Sequence, residues 1–220
     1  MRRNRLTVYT AAFGLTDPLQ ESAIDSEADF ICFTDDPALT SERWKIILQD
    51  KTNTPTRQAR RMKALSHHFI ATEWSLWVDC NYIIRVDPMT LLKYGEMVNF
   101  IHPTRNTLKA EGAAIIAQEK AKPEMVRAQL DAYRMEGFPV DSPTPNGLSS
   151  TSVTLRRHTP KICRINETWQ RQLDRYTLRD QLCVDYAAWK EGYKIARWPG
   201  TFRSNPYFKH VPFTRPVNDF

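Results

Sequence analysis

Residues Ser75–Pro88, SLWVDCNYIIRVDP, decide how this chain is read. The apolar run Leu76–Val78 delivers Asp79 and, two places on, Asn81. A second β-branched run, with Ile83, Ile84 and Val86, then leads to Asp87-Pro88. Side-chain oxygens at i and i+2, just past the end of a buried strand, sit where open α/β sheets bind ligands. Hard oxygen donors of this kind suit manganese or magnesium, which accept phosphate oxygens as further ligands. The same D-x-N spelling also arises in an Asx turn, so the motif has to be weighed with the rest of the chain.

With 220 residues, 41% of them hydrophobic, the chain can bury one substantial core, and one domain spanning residues 1–220 is expected. No stretch approaches the ~20 apolar residues of a bilayer-spanning helix. MRRNRLTVYTAAF leads into a strand pattern rather than a signal peptide, so a cytoplasmic protein without a membrane span is expected. Cys32, Cys80, Cys163 and Cys183 are isolated, with no C-x-x-C pair for zinc or redox chemistry, and read as free thiols. The net charge is +6. Arg2, Arg3 and Arg5 open the chain, and two further clusters, Arg57/Arg60/Arg61/Lys63 and Arg156/Arg157/Lys161/Arg164, contain no acid. Such a balance favours an anionic partner, whether pyrophosphate, nucleic acid, membrane or acidic glycan. Oligomeric state leaves no mark in the sequence.

Strands are predicted over Arg5–Phe13, within Asp29–Pro37 (an apolar run ending in the polar Thr34, Asp35 and Asp36), and over Trp44–Leu48, Val98–Ile101 and Ser152–His158. Thr54-Pro55 is a good helix start, an N-cap followed by proline at the first helical position. The helix it opens is predicted to run to Ile70, with Arg60 and Lys63 on one face. That face is either solvated surface or a phosphate-binding wall. Helical patterns follow at Met89–Gly95, Asn106–Lys120, Pro123–Glu136, Cys163–Leu173 and Arg179–Lys190. Residues 140–150 form a long Pro/Gly/Ser-rich loop, the kind that serves as a lid or stays disordered. Residues 198–220, rich in proline and aromatics, are expected to wrap over the sheet without regular elements.

Taken in order, VYTAAFG, DFICFTDDP, the R-x-x-K helix, SLWVDCN, HPTR with Glu111, the Gln129/Tyr133/Glu136–Pro139 segment, LRRH and RDQ resemble the group catalogued as domain of unknown function 616. That group looks like a branch of the nucleotide-diphospho-sugar transferases, distantly similar to family 8 glycosyltransferases. The resemblance covers roughly Val8–Trp189. It implies a glycosyltransferase-A-like, Rossmann-like α/β fold with a mixed, mostly parallel sheet flanked by helices. It also implies transfer of a hexose or pentose from a nucleotide-diphosphate sugar, UDP-sugar favoured, to a hydroxyl acceptor.

On that resemblance Asp79-Cys80-Asn81 is a variant of the metal-binding Asp-x-Asp motif, so Asp79 and Asn81 hold manganese or magnesium and the donor. Arg60 and Lys63 then face the donor phosphates, Asp180 and Gln181 lie near the transferred sugar, and Thr10 in VYTAAFG joins the donor contacts. Two departures stand out: the second acidic position is an amide, and the family 8 C-terminal H-x-x-G-x-x-K-P-W signature is missing. His210, the histidine nearest that end, reads as packing in an aromatic tail rather than as a third ligand.

Transfer also wants a carboxylate near the sugar, as base or as stabiliser of an oxocarbenium-like transition state. Asp180, at a helix N-terminus, is the candidate, though a plain first-turn acid would look the same. His102 and Arg105 are candidate sugar or acceptor contacts, or loop stabilisers. Glu111 is a candidate acceptor contact or a surface acid. The acceptor is open between a glycan, a lipid-linked glycan, a protein and a modified base in DNA. A non-catalytic, basic nucleic-acid-binding module is the rival class, and the carboxylates at strand ends, Asp35, Asp36, Asp79 and Asp87, speak against it.

Overall fold

The computed structural model describes residues 5–14, 18–144 and 146–213. Nine strands and six α-helices are assigned among them. β1 (Leu6–Ala12), β2 (Asp29–Thr34), β3 (Lys45–Leu48) and β4 (Trp74–Val78) form the parallel half of a seven-stranded sheet, with strand order β3-β2-β1-β4-β7-β6-β8. β7 (Ser149–Arg157) is antiparallel to both neighbours, β4 and β6 (Met97–Ile101), while β8 (Ala196–Thr201) pairs parallel to β6. One reversed strand in seven gives the expected mixed, mostly parallel sheet, a glycosyltransferase-A-like layout.

Near-continuous burial explains the strands. All seven residues of β1 and all five of β4 are buried, as expected for sheet strands covered on both faces. Leu6, Val8, Leu76, Val78, Val98 and Phe100 pack on one face against Trp198 and Phe208. The other face lies under α1 (Pro55–Ala64), α5 (Pro160–Arg175) and α6 (Asp180–Lys190), through residues such as Tyr9, Met62, Trp169 and Val184. α3 (Leu108–Ala117) and α4 (Pro123–Met135) add a third apolar cluster around the stacked rings of Tyr133 and Tyr186.

Three expectations need correction. The helix predicted to reach Ile70 breaks at Leu65, and α2 (Ser66–Phe69) follows as a separate turn. Arg156 takes the Lys63 and Ala64 carbonyls, which an unbroken helix would give to the amides of residues 67 and 68. The C-terminal stretch is not devoid of regular structure: its start belongs to β8, and β9 (Phe208–His210) pairs antiparallel with β5 (Tyr82–Ile84), directly after the D-x-N motif. The 140–150 loop is tied down, because Arg197 donates to the Asn146 and Gly147 carbonyls while Asp185 accepts from the Ser149 backbone and hydroxyl. Asp17 and residues 214–220 lie outside the described residues, as do Arg2 and Arg3.

The basic clusters also change meaning in three dimensions. Arg156 is fully buried, Arg157 pairs with Glu73 and Glu96, and Arg164 pairs with Glu191. Arg57 reaches Asp174 on α5. Acids distant in sequence thus partner cations that look unopposed when the chain is read linearly.

Candidate active site

β7 runs against its neighbours, so its first residues lie at the same edge as the ends of β4 and β6. Asp79 and Asn81, Ser150–Ser152 and His102 therefore meet there, and α6 begins beside them. Together they enclose a cavity of about 440 Å³. Its wall carries six cationic side chains (Arg60, Lys63, Arg105, Lys120, Arg179 and Arg203) against three carboxylates, Asp79, Glu111 and Asp180. A hollow with that excess of positive charge attracts anions.

Lys63 is the centre of the arrangement. It is 1% exposed, and its Nζ lies 3.2 Å from Asp79 Oδ1 and 2.9 Å from Asp180 Oδ2. Arg60, one turn earlier on α1, places a terminal nitrogen 2.9 Å from the same Asp180 oxygen. The i, i+3 spacing of Arg60 and Lys63 brings both cations to one carboxylate. The helix face predicted as either solvent-facing or ligand-facing thus turns into the cavity at these two positions.

Burial works to raise the Asp180 pKa, but Arg60 and Lys63 together override it and hold the carboxyl below its ordinary value. Asp180 is therefore ionised at neutral pH. Its Oδ2 is shared with the Thr151 hydroxyl, while Oδ1 is buried without a hydrogen-bond partner among the described residues. A charged oxygen in that state is an acceptor waiting for a donor. Gln181 lines the cavity next to it.

Asp79 Oδ1 also accepts the Trp77 indole N–H at 2.7 Å, and the Asp79 backbone N–H donates to Ser152 O. These bonds fix the carboxylate at the strand tip. Asn81 Nδ2 lies 3.1 Å from His210 Nε2, and the amide of Val211 donates to Asn81 O. Pairing of β5 with β9 thus carries His210 into the cavity wall, a role that its reading as tail packing missed. Its sequence neighbours gave no signal, because the contact spans 129 positions. Burial, followed by the nearby Arg203, lowers the His210 pKa against an opposing pull from Asp79, which keeps the imidazole neutral at pH 7.

Elsewhere in the lining, Arg105 Nε donates to Glu111 and its terminal nitrogen lies 2.7 Å from His102 Nε2. His102 Nδ1 accepts from the Thr104 and Arg105 backbone amides, which folds the HPTR turn. Burial and then Arg105 lower the His102 pKa. All three residues line the cavity, and Glu111, nearly fully buried, is no surface acid. Thr10 does not join them. Alternation along β1 sends it, fully buried, to the face shared by Val8 and Ala12, whereas Tyr9 faces α1. The other strand-end acids do turn and cap work: Asp35 accepts from Gly14 N, Asp36 from Ala38 N, and Asp87 from Met89 N and the Ser26 hydroxyl.

The side chains that would face a divalent cation in this cavity are Asp79, Asn81 and His210, one carboxylate with one amide and one imidazole. Asp79 Oδ1 is engaged by Lys63 and Trp77, which leaves Oδ2 for coordination. These residue types fit manganese, which takes both oxygen and imidazole ligands. A separate group, His67, His68 and Glu167, also gathers ligand atoms within 4.8 Å of one another. Asn166 argues against metal there. Its Oδ1 accepts from Arg156, so its Nδ2 donates to His67 Nδ1, the proton sits on His67 Nε2, and that nitrogen hydrogen-bonds Glu167.

Fold and site together define a glycosyltransferase-like α/β domain, and comparison with known families agrees. Residues 36–199 match the family described as TOD1/MUCI70, glycosyltransferase-like domain, and the chain belongs to that family. A probable hexosyltransferase MUCI70 from Arabidopsis thaliana is 28% identical over 158 residues. That alignment takes in 63% of this chain and 26% of the plant protein, so the chain spans about a quarter of that relative's length. Among the described residues, no helix is long and apolar enough to cross a membrane.

Proposed function

We propose that the protein is a nucleotide-sugar-dependent glycosyltransferase, moving a hexosyl or pentosyl group from a nucleoside-diphosphate donor, UDP favoured, to a hydroxyl acceptor. The observation that carries this reading is the meeting of Arg60 and Lys63 with Asp79 and Asp180 inside one cationic cavity at the strand ends. A diphosphate leaving group gains negative charge as the glycosidic bond breaks, and preorganised cations beside it lower the barrier. Lys63 has three ammonium protons and directs two toward carboxylates, which leaves one for a phosphate oxygen.

Asp79 Oδ2, the Asn81 carbonyl oxygen and His210 would hold manganese or magnesium. That ion, when bound, supplies Lewis-acid stabilisation of the departing diphosphate. Asp180 suits one of its two expected roles better than the other. A carboxylate held ionised by two cations is a weak base, so it acts by keeping negative charge beside the sugar while Oδ1 accepts a sugar hydroxyl. His102, Arg105 and Glu111, which line the same cavity, orient the sugar or the acceptor. The acceptor itself, on a glycan, a lipid-linked glycan, a protein or DNA, is a hydroxyl brought into the same cavity, whose lining also carries Lys120 and Arg203.

The test is a donor panel. The protein is incubated with nucleotide sugars and manganese, and released nucleoside diphosphate is measured. Turnover of a donor that Asp79→Ala eliminates supports the proposal. Absence of both turnover and nucleoside-diphosphate binding across the panel removes it.

A further inference from the structure

Arg156 is among the largest fully buried side chains, and its charge has no carboxylate within salt-bridge distance among the described residues. Burial lowers its pKa against the opposing pull of Tyr9 and Asp180. Its fork is spent on neutral oxygens. One terminal nitrogen donates to Ala64 O and Asn166 Oδ1, both at 3.0 Å; the other donates to Lys63 O and the Tyr9 hydroxyl, both at 2.6 Å. A buried arginine compensated only by oxygen dipoles is a poor device for stability alone, because an apolar side chain of that volume would avoid the desolvation penalty. Its acceptors show a narrower purpose. They include the carbonyl of Lys63 itself and the next carbonyl, at the end of α1 where a cation complements the helix dipole.

We propose that Arg156 is a positioning residue: by ending α1 at Lys63 and Ala64 it fixes where the Lys63 ammonium sits between Asp79 and Asp180. The geometry leaves little slack. Lys63 is anchored through its own carbonyl on one side and through its ammonium on the other, and its backbone is held from β7, the strand that also supplies Ser150–Ser152 to the cavity. The Tyr9 hydroxyl completes the hold, 3.3 Å from Lys63 O. The use of this positioning for a donor phosphate rests on the function proposed above; the positioning itself does not.

Two variants test it on the full chain: Arg156→Lys, which keeps a charge but loses the fork, and the milder Tyr9→Phe, which removes one acceptor of the fork. The first readout is the Lys63 side-chain ammonium resonance, assigned through Lys63→Arg. A doubly paired, 1% exposed ammonium exchanges slowly and gives a resolved signal. Loss or shift of that signal in Tyr9→Phe, with the circular dichroism of the wild type and a modestly lowered thermal midpoint, is expected. The second readout is the ratio of UDP to uridine affinity with manganese present, expected to fall about tenfold or more, on the order of one charge-assisted bond. Uridine binding stays constant, since only phosphate contacts move.

An unaltered Lys63 signal in a folded Tyr9→Phe and a folded Arg156→Lys overturns the proposal, as does equal weakening of UDP and uridine. If Arg156→Lys does not fold, Tyr9→Phe decides alone. Failure of the wild type to bind UDP would count against the donor reading, while the ammonium signal would still decide the role of Arg156.

Discussion

Asp180→Asn removes one negative charge from a wall where two cations meet it. In the wild type, Lys63 and Arg60 each lie 2.9 Å from Asp180 Oδ2, and Asp180 and Lys63 are both nearly inaccessible to water. With the charge gone, Lys63 keeps Asp79 at 3.2 Å, on a carboxylate that is 31% exposed. Breaking a buried pair by removing one partner costs about 3–5 kcal/mol, because the other charge stays desolvated. Retention of Asp79 places the expected loss near the lower end, about 3 kcal/mol. Lys63→Met should cost less, since Asp180 then keeps Arg60 and Thr151 while an apolar side chain fills the space. The assay is urea unfolding of all three proteins across pH. Asp180 has its pKa depressed in the folded state, so its stabilisation is present above the unfolded pKa and is lost as pH falls through the folded one. The deficit of Asp180→Asn should therefore be full at pH 7 and shrink below about pH 4. A loss under about 1 kcal/mol, or a deficit independent of pH over that range, would refute the reasoning that this ion cluster is tightly coupled.

Asp79→Ala should abolish nucleotide release from the donor while keeping the circular dichroism of the wild type, with a lowered unfolding midpoint because Lys63 keeps only Asp180 and the Trp77 indole N–H loses its acceptor; retained turnover would remove Asp79 from the chemistry. Arg60→Ala should raise the donor KM tenfold or more, from the ~1.5–3 kcal/mol of a charge-assisted bond, and an unchanged KM would make Arg60 a partner of Asp180 alone. Changing Arg60 and Lys63 together is less informative, because Asp180 would be left buried with neither cation. His210→Ala should raise the manganese concentration for half-maximal turnover. In the wild type, manganese affinity should fall as pH drops through the depressed His210 pKa, below its ordinary 6.5, because the protonated ring has no lone pair. A manganese titration identical in the variant at pH 7 would exclude His210 as a ligand.

The centre of the sheet was legible because its strands are buried on both faces and read as apolar runs ending in polar residues; β8, mostly half-buried or exposed and interrupted by Pro199 and Gly200, was not. Asp79 and Asp180 were legible for a related reason: a strand end and a helix start place them at one edge of the sheet. Arg60 and Lys63, in the second half of α1, showed by their spacing only that they share a face, and the resemblance supplied the rest. Thr10 misled because sequence order within VYTAAFG does not say which face an interior position takes; register with β4 decides that. His210 and the C-terminal end of α1 were illegible for a different reason. Each depends on a partner about a hundred positions away, Asn81 in one case and Arg156 in the other, and no local periodicity encodes such a pairing. The acids that neutralise the basic clusters escaped notice on the same ground.

An amide at position 81 makes physical sense in this setting. A carboxylate there would face the His210 ring and favour its protonated form, raising a pKa that the structure instead depresses, and a protonated ring cannot coordinate a cation. Asn81 avoids that conflict because its two ends differ. Its N–H donates to the neutral His210 Nε2, so the imidazole stays unprotonated there and needs no cation to satisfy it. Rotation of the same amide by half a turn would present its carbonyl oxygen beside the ring nitrogen, two acceptors that only a shared cation satisfies. A carboxylate cannot alternate in this way, since both of its oxygens only accept. The cavity already holds three carboxylates, and a fourth beside Asp79 would also compete with the donor diphosphate for Lys63. On the proposed function, the D-x-N spelling is thus weaker as a cation trap than D-x-D, but it keeps the histidine neutral and the lysine available.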